Sequence, residues 1–474
     1  MSQTHYRHRP ATEFLSPDRA QRVHEMALRI LQEVGLEVAH QEARDRIAAE
    51  GLTVRGGRVY LPPPVVEEFL GRRRQGLPPE EVLLEEPATT EITLTVGVYA
   101  HHVHDLESDR IVPYTCEKLV EMTKLVDVLT ERGVYSPAPG YPLDVPGPLQ
   151  PIAQYRIGAL HSRHGLRPVD PISARSFPYV WEMAEALGHP LRHLPVYVFS
   201  PLRLAGESLE AVMLYRDRLE GIHVSNMASV GGTAPILPLP ALAMAVAEVI
   251  GGSIVLSLVT DLPVDFGIGL HAFDLRHGSM VFGSPEAYLF GQLNAEINAF
   301  YGRYRERGQA AAGIHVRANF PGAQAAAEKA SLMTAGALIG VRHFDGAGIL
   351  AVDEVFSPEQ LLVDSEIRDM VQRLITGLDM GEGEYDWVEE VRQGVGSSFI
   401  GLDSTLDHYR EVYWHPHLFD RGFLARQGSD GRTKLAQRAR DMVQECTSRH
   451  EYQLDAPRRR EVERIWQRAV AELA

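Results

Sequence analysis

From about residue 133 to residue 376, seven short apolar runs alternate with seven longer segments of helical pattern. No other feature of the chain constrains its fold as much. Strands joined through helix-length connections can pair only in parallel, with the helices as crossovers. The strand candidates are 133–136, 168–172, 194–200, 222–228, 263–269, 311–316 and 343–350, and the helix candidates are 150–164, 176–188, 206–219, 238–260, 285–301, 322–340 and 358–376. The last helix has a clear start, with Ser357 as cap, Pro358 in the first position and Gln360 in the third. Seven strand–helix units with eight needed for closure point to a TIM (β/α)8 barrel with one irregular strand. A doubly wound sheet is the alternative, but no GxGxxG follows the first strand.

The segments around this core read as extensions. Residues 1–130 form an N-terminal α+β extension, 131–380 the barrel, and 381–474 a C-terminal helical extension. Ser16 caps a helix that Pro17 enters, Val23, Met26, Ile30 and Val34 share one face of it, and Gly35 ends it. A short helix near 41–50 follows, then strands at 58–61 and 91–98, the second alternating as Ile92, Leu94, Val96 and Val98. Thr115 caps a further helix whose inner face is Leu119, Met122, Val126 and Leu129.

Composition narrows the class. Of 474 residues 45% are apolar and 23% charged, the proportions of a globular enzyme. A net charge of −16 without a basic stripe argues against a nucleic-acid partner. The runs Arg72-Arg73-Arg74 and Arg458-Arg459-Arg460 read as solvated helix ends. Cys116 and Cys446 are the only cysteines and carry no pairing motif, which argues for a reducing cytoplasm and against a disulfide framework. The apolar stretch 241–262 contains Glu248 and paired glycines, so it reads as a buried helix and no membrane segment is expected. Assembly as a homo-oligomer stays open.

Active sites of barrels lie where the strands end. Those ends carry Tyr135, Tyr141, Asp170, Tyr197, Phe199, Asn226, Asp265, His271, His315, Arg317, Asp345, Asp353 and Glu354. In the stretch Gly313-Ile314-His315-Val316-Arg317-Ala318-Asn319-Phe320-Pro321, His315 and Arg317 share one face of an extended segment. His102 and His104 also share a strand face, a geometry open to a metal, although hairpin histidines without one are the plainer reading and no metal is expected. In Phe282-Gly283-Ser284-Pro285-Glu286, Ser284 caps and Pro285 opens a helix, which accounts for the run structurally. There is no GxSxG elbow and no GxxxxGK[ST] loop.

The stretches His104-Asp105-Leu106-Glu107-Ser108, Gly231-Gly232-Thr233-Ala234-Pro235, Phe282 to Glu286, Pro321-Gly322-Ala323-Gln324 with Glu328-Lys329, and Phe399-Ile400-Gly401-Leu402 resemble the trimethylamine methyltransferase (MttB-like) family. The likeness is colinear from about residue 13 to 465. It implies a TIM barrel that passes a methyl group from an amine to the Co(I) of a separate corrinoid protein, with no cofactor held tightly by this chain. Archetypal members carry pyrrolysine just before the helix that starts near Pro321, whereas Ala312 to Val316 here are ordinary residues. The resemblance therefore implies a non-pyrrolysine member acting on a quaternary amine such as glycine betaine, whose nitrogen is already a good leaving group. On that reading His315 and Asp265 are the catalytic candidates. Arg317, with His315 beside it, would take a betaine carboxylate, Tyr99, Tyr135, Tyr141, Tyr197 or Phe199 would cage the cation, and His271 is a further substrate-binding candidate. The segment 397–405 has serine and aspartate where the family often has histidine. A metal-dependent hydrolase using His101, His102 or His104 and a catalytically idle betaine-binding subunit stay open as alternatives.

Overall fold

A computed structural model describes residues 13–75, 91–167, 173–302, 313–378, 386–423 and 431–474. Six strands, parallel within two groups of three, organise it: β1 (Thr93–Val96), β2 (Val134–Tyr135), β3 (His193–Phe199), β4 (Gly221–Asn226), β5 (Val264–Gly267) and β6 (His343–Ala347). β4 lies between β3 and β5, and β1 lies between β6 and β2. The last strand of the series thus pairs with the first. Gly313 adds a parallel bridge to Asp345 on β6. Among the described residues no closed barrel is formed. The expected strand at 168–172, with Asp170, lies outside them.

The strand expected at 91–98 is β1, and it pairs on both sides with strands of the core. The division expected at residue 130 therefore separates hydrogen-bonded neighbours. In the chain β1 precedes the strand–helix series by a hairpin and a helix. Parallel pairing depends on which strands meet in space, and the local pattern is silent on that.

Alternation on these strands sorts the two faces. On β3, Leu194, Val196 and Val198 are buried while Tyr197 and Phe199 are exposed, and on β6 Phe344 is buried while His343 and Asp345 are exposed. One aliphatic cluster covers the outer side of β3, β4 and β5, and a second covers that of β6, β1 and β2. The helices that supply these clusters start where their capping residues require. The side chains of Ser16, Thr115, Ser284 and Ser357 accept from the amides of Arg19, Lys118, Ala287 and Gln360. Helix Pro238–Thr260 is long and apolar enough to cross a membrane, but 89% of its apolar window is buried inside the protein. Glu248, fully buried on it, accepts from Ser200 Oγ at 2.8 Å, Leu202 N at 2.8 Å and Asn226 Nδ2 at 2.6 Å. This carboxylate ties together the ends of β3 and β4.

The N-terminal segment joins the core through backbone pairing. Strand Leu36–Val38 pairs in parallel with Arg203–Leu204, itself antiparallel to the end of β3. Helix Pro17–Glu33 lies along Pro238–Thr260. At the other end of the chain, helix Ala456–Leu473 packs on Gln150–His161 and Phe177–Leu187 around a third apolar cluster.

Candidate functional site

Residues 313–318 run extended beside β6. The amide of Ile314 donates to Asp345 O at 2.8 Å, and the carbonyls of Val316 and Ala318 accept from Val352 and Ala351, both at 2.8 Å. Period-two alternation buries Ile314, Val316 and Ala318 and turns His315 and Arg317 to the opposite face. Two neighbouring residues of helix Ala323–Leu338 hold this segment in place. The Glu328 carboxylate accepts from the amides of Arg317 at 3.0 Å and Ala318 at 3.4 Å, and Gln324 Nε2 steadies it at 2.6 Å. Gly283, at φ +74, lies so close to that carboxylate that a Cβ would collide with it.

Lys329 turns the other way, into the core. It is fully buried, with its ammonium 2.9 Å from Asp364 and donating to Gly346 O at 2.8 Å. Burial draws its pKa below the ordinary lysine value against the pull of Asp364. Gly346, at φ +86, leaves room for the His315 ring, since a Cβ there would stand 2.9 Å from it. The Gln324, Glu328 and Lys329 positions singled out in the sequence thus set the backbone on which His315 and Arg317 stand.

His315 sits between two carboxylates. Its Nε2 is 3.4 Å from Asp345 Oδ2, and its Nδ1 forms a 2.7 Å ion pair with Asp353 Oδ1 that is not an aligned hydrogen bond. Burial opposes the imidazolium, but Asp345 and Asp353 outweigh it and push the pKa of His315 up to about 10. Burial likewise works to raise the Asp345 carboxyl, yet His315 holds it below the usual carboxylate range. The 55% of the Asp345 side chain that is accessible opens onto a cavity.

That cavity has a volume of about 340 Å³. His315, His271, Asp345 and Asp353 supply its polar groups together with Asn294, and Met227, Leu270, Phe282, Tyr288 and Leu332 its apolar walls. The Phe282 ring stands 5.8 Å from that of His315 and 6.2 Å from that of His271. Burial, with the charge on His315 adding to it, lowers His271 to about 4, so this ring is neutral at pH 7. One imidazolium against two carboxylates leaves the cavity with a surplus of negative charge beside apolar walls. Such a chamber suits a cation that cannot donate hydrogen bonds. His315, protonated at neutral pH, can place charge and hold Asp345 and Asp353, but it has no lone pair with which to accept a proton.

The other predicted site residues are not among those that line this cavity. Asp265 is bound by Arg73 Nη2 at 2.8 Å and by His223 at 3.4 Å, with the Arg73 guanidinium stacked 4.2 Å over Phe266. Tyr135 meets His164 edge-on at 5.0 Å, and Tyr99 lies 6.3 Å from Tyr141, which stacks on His101. Tyr197 and Phe199 stand on β3, where Phe199 covers Gly206. Arg317 is half-buried, and among the described residues no carboxylate lies within ion-pair distance of its guanidinium. The hairpin His102–Asp105 with Arg110–Pro113 forms as expected, and His104 is bound to Ser357 at 3.2 Å and Asp109 at 2.9 Å. Among the described residues no group of histidine, cysteine and acidic side chains is placed to hold a metal. In the sequence Phe282 reads as part of a helix start, and nothing local marks Tyr288. Asp345 and Asp353 stood in the strand-end inventory without a role, although the inward period of His343 and Asp345 was readable.

Comparison with known proteins gives this chain a family. The chain matches the family described as Trimethylamine methyltransferase (MTTB) over residues 1–148 and 182–474. It is similar to glycine betaine methyltransferase of Desulfitobacterium hafniense (strain Y51), at 26% identity over 430 residues that cover 87% of this chain and 88% of that protein. It is also similar to trimethylamine methyltransferase MttB of Methanosarcina barkeri, at 30% identity over 277 residues, 58% of this chain and 54% of that one. Among solved structures, the monomethylamine methyltransferase MtmB of Methanosarcina barkeri superposes with a TM-score of 0.43 at 10% identity, over 91% of this chain and 92% of the other. With a family match that spans most of its length, the chain belongs to the trimethylamine methyltransferase (MTTB) family and is a methyltransferase.

Proposed function

We propose that this enzyme takes a methyl group from a quaternary ammonium of the betaine type and passes it to the corrinoid of a separate protein. The observation that carries this reading is the cavity itself. It sets the aromatic wall of Phe282 and Tyr288 against an uncompensated carboxylate beside His315. A trimethylammonium group is large, cationic and unable to donate a hydrogen bond, so an apolar anionic chamber suits it better than a neutral amine. The similarity to a protein named glycine betaine methyltransferase supports the same substrate class.

The partner's corrinoid would supply a Co(I) nucleophile when docked. The chain's own residues then have three tasks. Phe282 and Tyr288 orient one N-methyl and keep water from the reacting carbon. Asp345 and Asp353, held by His315, balance the ammonium charge before reaction. Arg317, on the same face as His315 and farther along the segment, takes the carboxylate. The nitrogen leaves as a neutral amine with the electrons of the broken C–N bond, so no proton need be delivered. A locked imidazolium and a neutral His271 are adequate to that chemistry.

We also read β1 to β6, with the 313–318 segment, as portions of one (β/α)8 barrel. The pairing of the last strand with the first supports this. A cytoplasmic enzyme fits the free Cys116 and Cys446. The test is thermal unfolding with glycine betaine, choline or trimethylamine. Betaine should stabilise most, by about 2.7 kcal/mol at a hundredfold excess over its Kd. Equal stabilisation by trimethylamine would overturn the quaternary-amine reading.

A further inference from the structure

Beyond β5 the chain runs on through Ile268 to His271, and its peptide groups alternate between two sides. The odd-numbered residues face β4 and its continuation: Gly269 N donates to Asn226 Oδ1 at 2.8 Å, and His271 O accepts from Val230 N at 2.9 Å. The even-numbered residues face the other edge, where among the described residues no strand pairs with β5 or with Leu270–His271. Their peptide groups are bound all the same. Ile268 donates to Asn298 Oδ1 at 2.9 Å and accepts from Asn298 Nδ2 at 2.8 Å. Leu270 makes the same pair of bonds with Asn294, each at 3.0 Å.

Each asparagine amide thus takes the place of a peptide group in a neighbouring strand. The spacing explains why this works. Asn294 and Asn298 are four residues apart on helix Pro285–Phe300, a rise of about 6 Å, and residues two apart in an extended chain are separated by about 6.6 Å. Asn298 Nδ2 also donates to Asn294 O at 2.7 Å, which ties the two rungs together. Both side chains are buried, where no water replaces a lost partner.

This ladder borders the cavity. Leu270 and His271 line it together with Gly313 and His315, so it lies between the continuation of β5 and the 313–318 segment. Helix Pro285–Phe300 gives it Tyr288 and, with them, the small residues Ala287 and Gly291, within two turns of Asn294. A strand paired at that edge would stand only about 4.8 Å away and fill the space, whereas a helix holding the edge by its side chains leaves room. We propose that Asn294 and Asn298 are positioning residues of the methyl-transfer site: standing in for a neighbouring strand, they fix His271 and set the width of the cavity, and so decide how large an ammonium group it admits. Only the choice of ammonium ligands below rests on the betaine reading.

Measurements on the full chain test this. Hydrogen exchange of the wild type should show the Ile268 and Leu270 amides protected like those of β4. Asn294→Leu keeps the bulk and removes both bonds to Leu270. The His271 ring, held at about 4 in the wild type, should be neutral by NMR at about pH 5.5 and partly protonated there in Asn294→Leu, its signal assigned by its loss in His271→Gln. Calorimetric titration of the wild type should favour glycine betaine over its N-triethyl analogue. The variant should narrow that preference about tenfold, because an added methylene is rejected only where the walls are fixed. Rapid exchange of both amides in the wild type would overturn the proposal, as would a folded Asn294→Leu protein with His271 titration and ligand preference unchanged. If the wild type binds neither ligand, the betaine reading falls, while amide exchange and ring titration still judge the ladder.

Discussion

His315 Nδ1 lies 2.7 Å from Asp353 Oδ1, so the ring at the centre of the candidate site is paired as a cation. Its unfolded pKa is near 6.5 and its folded pKa about 10. The stability this pair contributes is complete below the unfolded value, declines as pH rises from there, and is lost above the folded one. Wild type should therefore lose stability between pH 7 and pH 10 faster than His315→Gln. Urea unfolding at several pH values in that window checks it. Parallel curves would mean that the ring is neutral in the folded protein.

Asp353→Asn removes the carboxylate surplus while leaving Asp345 to pair with His315. Affinity for a quaternary ammonium should fall about tenfold, which is ~1.4 kcal/mol, with the overall fold unchanged. Calorimetric titration with glycine betaine measures this. Undiminished affinity would place the cation away from the cavity that Asp353 lines.

Arg317→Lys keeps the positive charge and loses the planar fork. It should weaken betaine binding and leave choline, which has no carboxylate, nearly unaffected. Arg317→Ala should cost betaine on the order of 2 kcal/mol. If betaine binds a folded Arg317→Ala protein as tightly as wild type, Arg317 is only part of the rim.

Lys329→Met leaves Asp364 buried without its cation and Gly346 O without its donor. Loss of one partner from a buried pair costs roughly 3–5 kcal/mol, and denaturant unfolding should show it. Lys329→Met with Asp364→Asn, which removes the buried charge yet keeps an amide oxygen for Gly348 N, should cost less than Lys329→Met alone.

The order of elements was legible in the chain because the relevant forces are local. Ser16, Thr115, Ser284 and Ser357 cap their helices through the next turn's amides, and a period of two or 3.6 follows from backbone geometry alone. The same period put His315 and Arg317 on one face, and the colinear motifs pointed to the family. Only the tertiary structure decided which side chains share the cavity. Asp353 reaches His315 because the chain turns back after β6, and Phe282 reaches it because Glu328 holds the 317–318 amides while Gly283 packs on Glu328. Asp265 looked equivalent to His315 at a strand end, yet Arg73, 192 residues away in sequence, claims it. Strand-end position fixes the direction of a side chain, while its partner and hence its charge depend on contacts between distant segments.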